Sequence, residues 1–386
     1  MEKVRLGIVG CGTMGQDHLN NILTGKVNNM VVGAICDISE ERREQLKSQH
    51  PDIPIFADAE ELYKSGTCDA VIIATPHYDH PPLVMKAFEY GLHAISEKPA
   101  GVYTKQVLEM NEAAKKSGKV FGIMYNQRTR IIYQKIRKMI QDGELGHIKR
   151  ISWTVTSWYR PQAYHDSAGW RSTWKTEGGG TLINQNPHQI DLWQWMFGMP
   201  DKIMAHVGYG KYYDIEVEDD VTAYFEYNNG TTGTYITSTG EFPGTNRLEI
   251  ACDMGKIVAE GTSLIFYKTT VSEREFNKNN TDANGRPERW KCEIPLSGVE
   301  EHHSGILKNF ADAILHGTEL LAPGVEGING LTISNAIHLS SWKGEMVDLN
   351  NFPHDEFYEM LQEKIKNSTV DKSHIKNKVN SVAGTF

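Results

Sequence analysis

The sequence predicts two domains: an α/β domain on a doubly wound parallel sheet over residues 1–125, then an α+β domain over 126–386 with a large, mostly antiparallel sheet. Three observations predict this. At 386 residues the chain exceeds what one hydrophobic core ordinarily organises. Its first third alternates short apolar runs with amphipathic stretches. After about residue 126 the pattern becomes successive alternating runs separated by Gly- and Asn-rich turns.

Val4–Val9 reads as a buried strand, followed by Met30–Cys36, Ala70–Ala74, His93–Ser96 and Val120–Met124. Between them, Glu40–Gln49 and Pro82–Tyr90 read as helices, the rhythm of a parallel sheet. Ile131–Asp142 predicts a helix leading into "IKRISWTVTSWYR", whose alternation fits a strand with one buried face. Further strands are expected at 202–209, 220–227, 231–239, 246–252 and 256–267, with turns such as "YNNGTTG" between them. Strands joined by short turns favour antiparallel pairing. Residues 303–316 and 325–342 then read as helices, and the last thirty as a polar tail with one amphipathic piece.

A hydrophobic content of 39% with 23% charged residues is that of a globular chain. A formal net charge of −9 argues against nucleic acid as a partner. The five cysteines (Cys11, Cys36, Cys68, Cys252, Cys292) show no CxxC spacing, which fits reduced thiols better than a disulfide framework or a zinc site. No basic, apolar leader opens the sequence, and no run approaches the roughly 20 apolar residues needed to span a bilayer. A cytoplasmic protein without membrane partners is expected.

"LGIVGCGTMGQDH" carries Gly10, Gly12 and Gly15 in GxGxxG spacing, after the first strand and at the start of a helix. Such glycines permit a tight turn and close approach of a pyrophosphate, which the helix N-terminus stabilises. Asp37 closes the second strand 22 residues after Gly15, where a carboxylate accepts both ribose hydroxyls of NAD and repels the extra phosphate of NADP. Arg42 and Arg43 keep NADP as the minority option; an ordinary strand–turn–helix with a solvated aspartate is the plain alternative. In "AISEKPAG", Glu97, Lys98 and Pro99 fall just past the carboxyl end of a strand, where ligands bind in open α/β sheets. The loop "SWYRPQAYHDSAGWRSTW" mixes flat aromatic faces (Trp158, Tyr159, Tyr164, Trp170, Trp174) with Arg160, His165, Asp166 and Arg171. That mixture suits a sugar or aryl glycoside, since rings cover C–H faces and polar groups read hydroxyls. Packing at a domain interface is the competing reading for each of these residues.

Taken together, GxGxxG, "ATPHYDH" (74–80), Glu97-Lys98-Pro99, "GGGTLINQNPHQID", "HHSGILKNFADAILHG" and "GLTISNAIHLSSWKGEMV" resemble the Gfo/Idh/MocA oxidoreductases over nearly the whole chain. The resemblance implies an N-terminal Rossmann domain, a C-terminal open-faced sheet, and homo-oligomers formed partly through that sheet. It implies a cofactor held by Gly10, Gly12, Thr13, Met14, Gly15, Asp37, Thr75, Pro76, His80, Glu97, Lys98 and Asn126, and an active site containing Lys98. The substrate residues would be Tyr125, Arg160, Tyr164, His165, Arg171, Trp174, Asn184 and His188. The family's Asp-x-x-x-His is here Asn184-x-x-x-His188, both expected on one helix face. Asparagine orients a hydroxyl but takes no proton, so His188 is the expected base, with Asp191 a further candidate helper.

Asn186-Pro187-His188-Gln189 has the form of an N-cap, a first-turn proline and a capping glutamine, which would put His188 at a positive helix end. A continuous helix from Thr181, kinked at the proline, is the rival. His302-His303 reads as a solvated helix start, and no metal is expected. The pattern "GWRSTW…GGG…NQNPHQID" also resembles the branch that oxidises glucosides at C3. The expected activity is hydride transfer from a sugar secondary hydroxyl to nicotinamide. The alternatives are an NAD-dependent glycosidase working by transient C3 oxidation and elimination, and a non-enzymatic NAD-binding sensor.

Overall fold

The computed structural model describes residues 2–370, 372 and 375. Its first sheet contains β1 (Val4–Val9), β2 (Met30–Cys36), β3 (Ile55–Phe56), β4 (Ala70–Ile73), β5 (His93–Ser96) and β6 (Phe121–Ile123). All pairs are parallel, in the order β3-β2-β1-β4-β5-β6. Strand order reverses between β1 and β4, so the ligand crevice lies outside their carboxyl ends. Helices α1 (Thr13–Leu23), α2 (Glu40–Gln49), α3 (Ala59–Lys64), α4 (His80–Glu89) and α5 (Thr104–Ser117) make the connections. β4 is buried along its whole length, which is why it reads as an apolar run without alternation.

After α6 (Ile131–Gln141) come β7 (Ile148–Val155), the short α7 (Gln162–His165) and α8 (Pro187–Phe197). Next are β8 (Lys202–Tyr209), β9 (Glu218–Glu226), β10 (Thr232–Ser238), β11 (Asn246–Cys252), β12 (Gly255–Glu260) and β13 (Ser263–Thr269). The remainder comprises α9 (Glu273–Asn279), β14 (Arg289–Glu293), α10 (His302–His316), α11 (Gly327–Lys343), β15 (Val347–Asp348) and α12 (His354–Lys366). The nine-stranded second sheet runs β14-β13-β12-β11-β7-β10-β9-β8-β15 and is antiparallel except where β7 meets β10. The strand expected at 256–267 is two strands, because Gly261, at φ 59°, opens a two-residue hairpin turn between β12 and β13. β3, α9 and β14 were not anticipated; β3 has only two residues, too few to show a period.

One face of the second sheet carries α8 and α11. Ser340 Oγ of α11 accepts from Ala205 N at 3.0 Å. Trp193 of α8 packs edge-on to Phe225 at 4.8 Å and stacks beside Trp153 at 6.4 Å. This aromatic cluster fixes α8, and hence His188, against the sheet. On the opposite face Met204 and Tyr224 are exposed, so the sheet is open-faced there. The later chain also crosses back to the first sheet: Asn29 Nδ2 donates to Lys308 O and Asp312 Oδ1 of α10, and Ile123 N donates to Ala322 O.

Candidate active site

The turn from β1 into α1 is shaped by close approach. A Cβ on Gly15 would stand 2.0 Å from Gly10 O, so only glycine closes the turn. A Cβ on Gly12 would meet nothing within 4 Å among the described residues; it would project into the space outside the sheet. Thr13 and Met14 open α1 above that space. Asp37 accepts from Cys11 N at 2.8 Å and Ser39 N at 2.9 Å, so its carboxylate is held at the crevice rim with lone pairs remaining. Arg43 donates to the carbonyls of Asp37 and Ile38, whereas Arg42 is turned to Gln45.

Thr75 and Pro76 follow β4, and Asn126 follows β6. Thr75 Oγ1 and both amide atoms of Asn126 are buried without a hydrogen-bond partner among the described residues. Buried polar atoms ordinarily have partners. An open Gly12 rim, a ribose-type acceptor at Asp37 and these orphaned groups together fit a nicotinamide dinucleotide. His80 does not belong with them. Its ring is fully buried, with its nitrogens on Thr75 O at 2.8 Å and Pro99 O at 2.7 Å, so it braces two loops and offers no nitrogen to a cofactor.

Glu97, at the end of β5, also faces inward. Its Oε1 meets His18 Nε2 at 2.7 Å and its Oε2 accepts from Lys98 N at 3.1 Å. Burial opposes its charge, but His18 prevails and holds the carboxyl down at about 2. His303 packs beside His18 at 5.6 Å, buried instead of solvated as its helix-start position suggested. Lys98 is partly exposed and donates from Nζ to Asn184 O at 2.8 Å; burial lowers its pKa.

α8 begins at Pro187, so the restarted helix is observed and the kinked continuous helix is not. The capping bond is absent: Asn186 Nδ2 goes to Thr181 Oγ1 at 2.9 Å, and its Oδ1 accepts from Tyr235 OH at 3.1 Å. Asn184 therefore sits in a turn outside the helix, and the expected shared helix face with His188 does not exist. His188 is 3% exposed, and neither ring nitrogen has a partner among the described residues. Burial, then the nearby Lys98 charge, holds the imidazole well below its usual range, hence neutral. Tyr125 lies edge-on to it at 6.4 Å. Asp191 is no helper, because Arg128 takes both its oxygens, at 2.6 and 2.9 Å.

The aromatic loop divides in two. Tyr164 OH accepts from Arg171 Nη1 at 2.6 Å and from Gln185 Nε2 at 3.0 Å, and the Arg160 and Arg171 guanidiniums lie 5.0 and 4.4 Å from its ring. His165 is buried, with Nδ1 on Ser172 Oγ at 2.7 Å and Nε2 unpartnered among the described residues. Trp174 does not join this group. It is 4% exposed and packs on His338, Tyr209 and Trp342 at 5.4–5.8 Å, so its ring is taken up by packing within the second domain.

Sequence reasoning missed Glu177, in "TEGGG". Its side chain is buried; Oε1 accepts from Asn184 Nδ2, and Oε2 accepts from Ser172 N at 2.5 Å. Burial raises its carboxyl to about 7, against the pull of Arg171, the Ser172 amide and the Asn184 amide. An acid set directly before three glycines was the available signal. Among the described residues no group of three or more His, Cys, Asp or Glu could hold a metal, and no helix is long and apolar enough to cross a membrane.

A dinucleotide crevice closed by a polar wall from a second, open-faced sheet is the architecture of a nicotinamide-dependent oxidoreductase. Comparison with known proteins agrees. Residues 4–125 match the model of the oxidoreductase family with an NAD-binding Rossmann fold, and residues 133–258 match the Gfo/Idh/MocA C-terminal domain. The chain belongs to the Gfo/Idh/MocA family. It is 25% identical over 248 residues to the D-glucoside 3-dehydrogenase of Escherichia coli, covering 59% of this chain and 68% of that one. It is 28% identical to the NADP-dependent scyllo-inositol 2-dehydrogenase IolW of Bacillus subtilis, covering 54% of this chain and 55% of that one. The match thus spans about half the length of some of these relatives. Among solved structures, the WlbA dehydrogenase of Bordetella pertussis, in complex with NADH and UDP-GlcNAcA, superposes with a TM-score of 0.75 at 25% identity over 90% of this chain and 98% of that one. A levoglucosan dehydrogenase, in complex with NADH and levoglucosan, superposes at 0.74 and 21% identity, covering 90% of this chain and 99% of that one, which is a likeness of fold.

Proposed function

We propose that the protein is an NAD-dependent dehydrogenase that oxidises a secondary hydroxyl of a sugar or glycoside, with C3 of a glucoside as the preferred position. The observation that carries this reading is His188, buried and neutral with both nitrogens unpartnered among the described residues, near enough to Lys98 to feel its charge. A neutral imidazole takes the hydroxyl proton as the C–H bond breaks. Lys98 has three N–H donors; one holds Asn184 O, and the others serve the reacting oxygen, where negative charge develops. When bound, the nicotinamide supplies the hydride acceptor.

Thr75 and Asn126 are the groups assigned to the nicotinamide side, and Asp37 to the far ribose. That carboxylate favours NAD over NADP, and Arg43 is occupied by backbone carbonyls. Arg160, Tyr164, Arg171 and Gln185 offer a hydrogen-bonding and aromatic wall suited to a sugar. The likeness to a D-glucoside 3-dehydrogenase supports the C3 assignment. We assign the open sheet face to self-association, and light scattering that finds only monomer would contradict that assignment.

The test is incubation with NAD and a panel of O- and C-glucosides, followed by absorbance of NADH and mass spectrometry of the products. Loss of two hydrogens with the glycosidic bond intact is the expected result. Aglycone release without net NADH would identify a glycosidase instead, and NAD binding with no turnover across the panel would favour a sensor.

A further inference from the structure

Asn184 carries no charge, yet the structure places a buried carboxylate directly behind it. We propose that Glu177 is a positioning carboxylate for the reaction, holding Asn184 and, through the Asn184 carbonyl, the ammonium of Lys98. The inference rests on the dehydrogenase reading above and names a residue that reading does not contain.

Four contacts carry it. Lys98 Nζ donates to Asn184 O at 2.8 Å, and the side-chain amide of the same asparagine donates to Glu177 Oε1. The other oxygen accepts from Ser172 N at 2.5 Å, and Ser172 Oγ in turn meets His165 Nδ1 at 2.7 Å. One carboxylate therefore ties the turn that holds Lys98 to the aromatic loop. Ser172 itself sits at φ 60°, a conformation uncommon outside glycine, which the Glu177 bond helps to hold.

The charged groups facing Glu177 are few. Arg171 Nη1 lies 4.0 Å from Oε1, and Lys98 and Arg160 are the other cations of the pocket. Glu218, from β9, is the neighbouring acid, but its oxygens are taken by the amides of Gly180 and Leu182. His77 Nδ1 meets the main-chain carbonyl of Glu177 at 3.0 Å and does not reach the carboxylate. Both carboxylate oxygens accept from N–H donors, which favours the ionised form; a proton on either oxygen would weaken one of the two bonds. Burial opposes that ionisation and moves the carboxyl to about 7, within the physiological range. Glu177 thus holds Asn184, and through its main-chain carbonyl Lys98, more firmly above neutral pH than below.

The test compares wild type, Glu177→Gln, Asn184→Asp and the double swap Glu177→Gln/Asn184→Asp. The swap keeps an amide-to-carboxylate bond between the two positions and moves the charge by one side chain. Glu177→Gln should lower kcat by about 10- to 100-fold, with little change in KM, and should remove the acidic limb of the kcat profile near pH 7. The double swap should recover at least about tenfold of that loss. A second readout needs no turnover: acylation of Lys98 by an amine reagent, followed with pH by peptide mass spectrometry. Loss of the Glu177 charge should lower the apparent pKa of Lys98 by about one unit, and the swap should restore it. A protein that oxidises no sugar in the panel but shows this Lys98 shift would overturn the dehydrogenase reading and leave the Glu177–Asn184–Lys98 coupling standing. An unchanged Lys98 titration, or a swap no better than the single variants, would overturn the proposal.

Discussion

Arg128 is the strongest test of how the site is built. Its guanidinium is fully buried and gives Nε and Nη2 to Asp191 at 2.9 and 2.6 Å, and Nη1 to Glu326 at 2.6 Å and Leu321 O at 3.0 Å. These bonds join the turn after β6, helix α8 and the segment before α11. Arg128→Met leaves Asp191 buried with only the Gln194 amide, at 2.9 Å, among the described residues. Such a carboxyl stays buried most cheaply by taking a proton, at about 1.4 kcal/mol per pH unit above its unfolded pKa of roughly 3.9. Burial already raises this carboxyl beside Arg128, so the added loss is at most about 4 kcal/mol at pH 7 and about 1.5 kcal/mol at pH 5, against the roughly 3–5 kcal/mol for breaking a buried pair. The sign is that of a carboxyl with a raised folded pKa: the variant loses stability as pH rises from 4 towards 7. Urea unfolding followed by tryptophan fluorescence at both pH values measures it, and Arg128→Met/Asp191→Asn should recover much of the loss at pH 7. A loss below about 1 kcal/mol at pH 7, or one equal at both pH values, would refute the reasoning.

Other outcomes follow from the same geometry. Lys98→Met should cut kcat by roughly 10²–10³-fold while NAD affinity, from fluorescence titration, stays within about twofold; intact turnover would remove Lys98 from the chemistry. Gly12→Val should fold with near-wild-type thermal stability but lose NAD binding, since its side chain enters open space, whereas Gly15→Val should destabilise the fold itself. Equal melting temperatures for the two would contradict that division. Asp37→Ser should shift the NADP-to-NAD ratio of kcat/KM upward by at least about tenfold, and an unchanged ratio would place the cofactor choice elsewhere.

Local patterns made much of this legible. The expected bounds of β1, β2 and β5 coincide with the observed strands, because most residues of each are buried and the short buried run marks the strand. The glycine turn and Asp37 were visible because backbone approach and strand ends leave a local mark. What escaped were contacts made by distant segments. Trp174 reads the same whether it faces a sugar or His338, and His80 reads the same whether it meets a cofactor or two carbonyls. Asn184 and His188 have helical spacing, but Pro187 starts the helix between them. Glu177 acquires its role only when the loop folds back on Asn184, a meeting that no periodicity records.

In the proposed reaction the hydrogen on C3 passes to the cofactor as hydride while the hydroxyl on the same carbon gives its proton to His188. Incubation with NAD and a glucoside carrying deuterium at C3 tests it most directly, with mass spectrometry of both products. The expected products are a 3-oxo-glycoside without the label and a reduced nicotinamide one mass unit heavier. Label retained in an oxidised sugar would place the reaction at another carbon, and free aglycone with unreduced NAD would contradict the dehydrogenase outright.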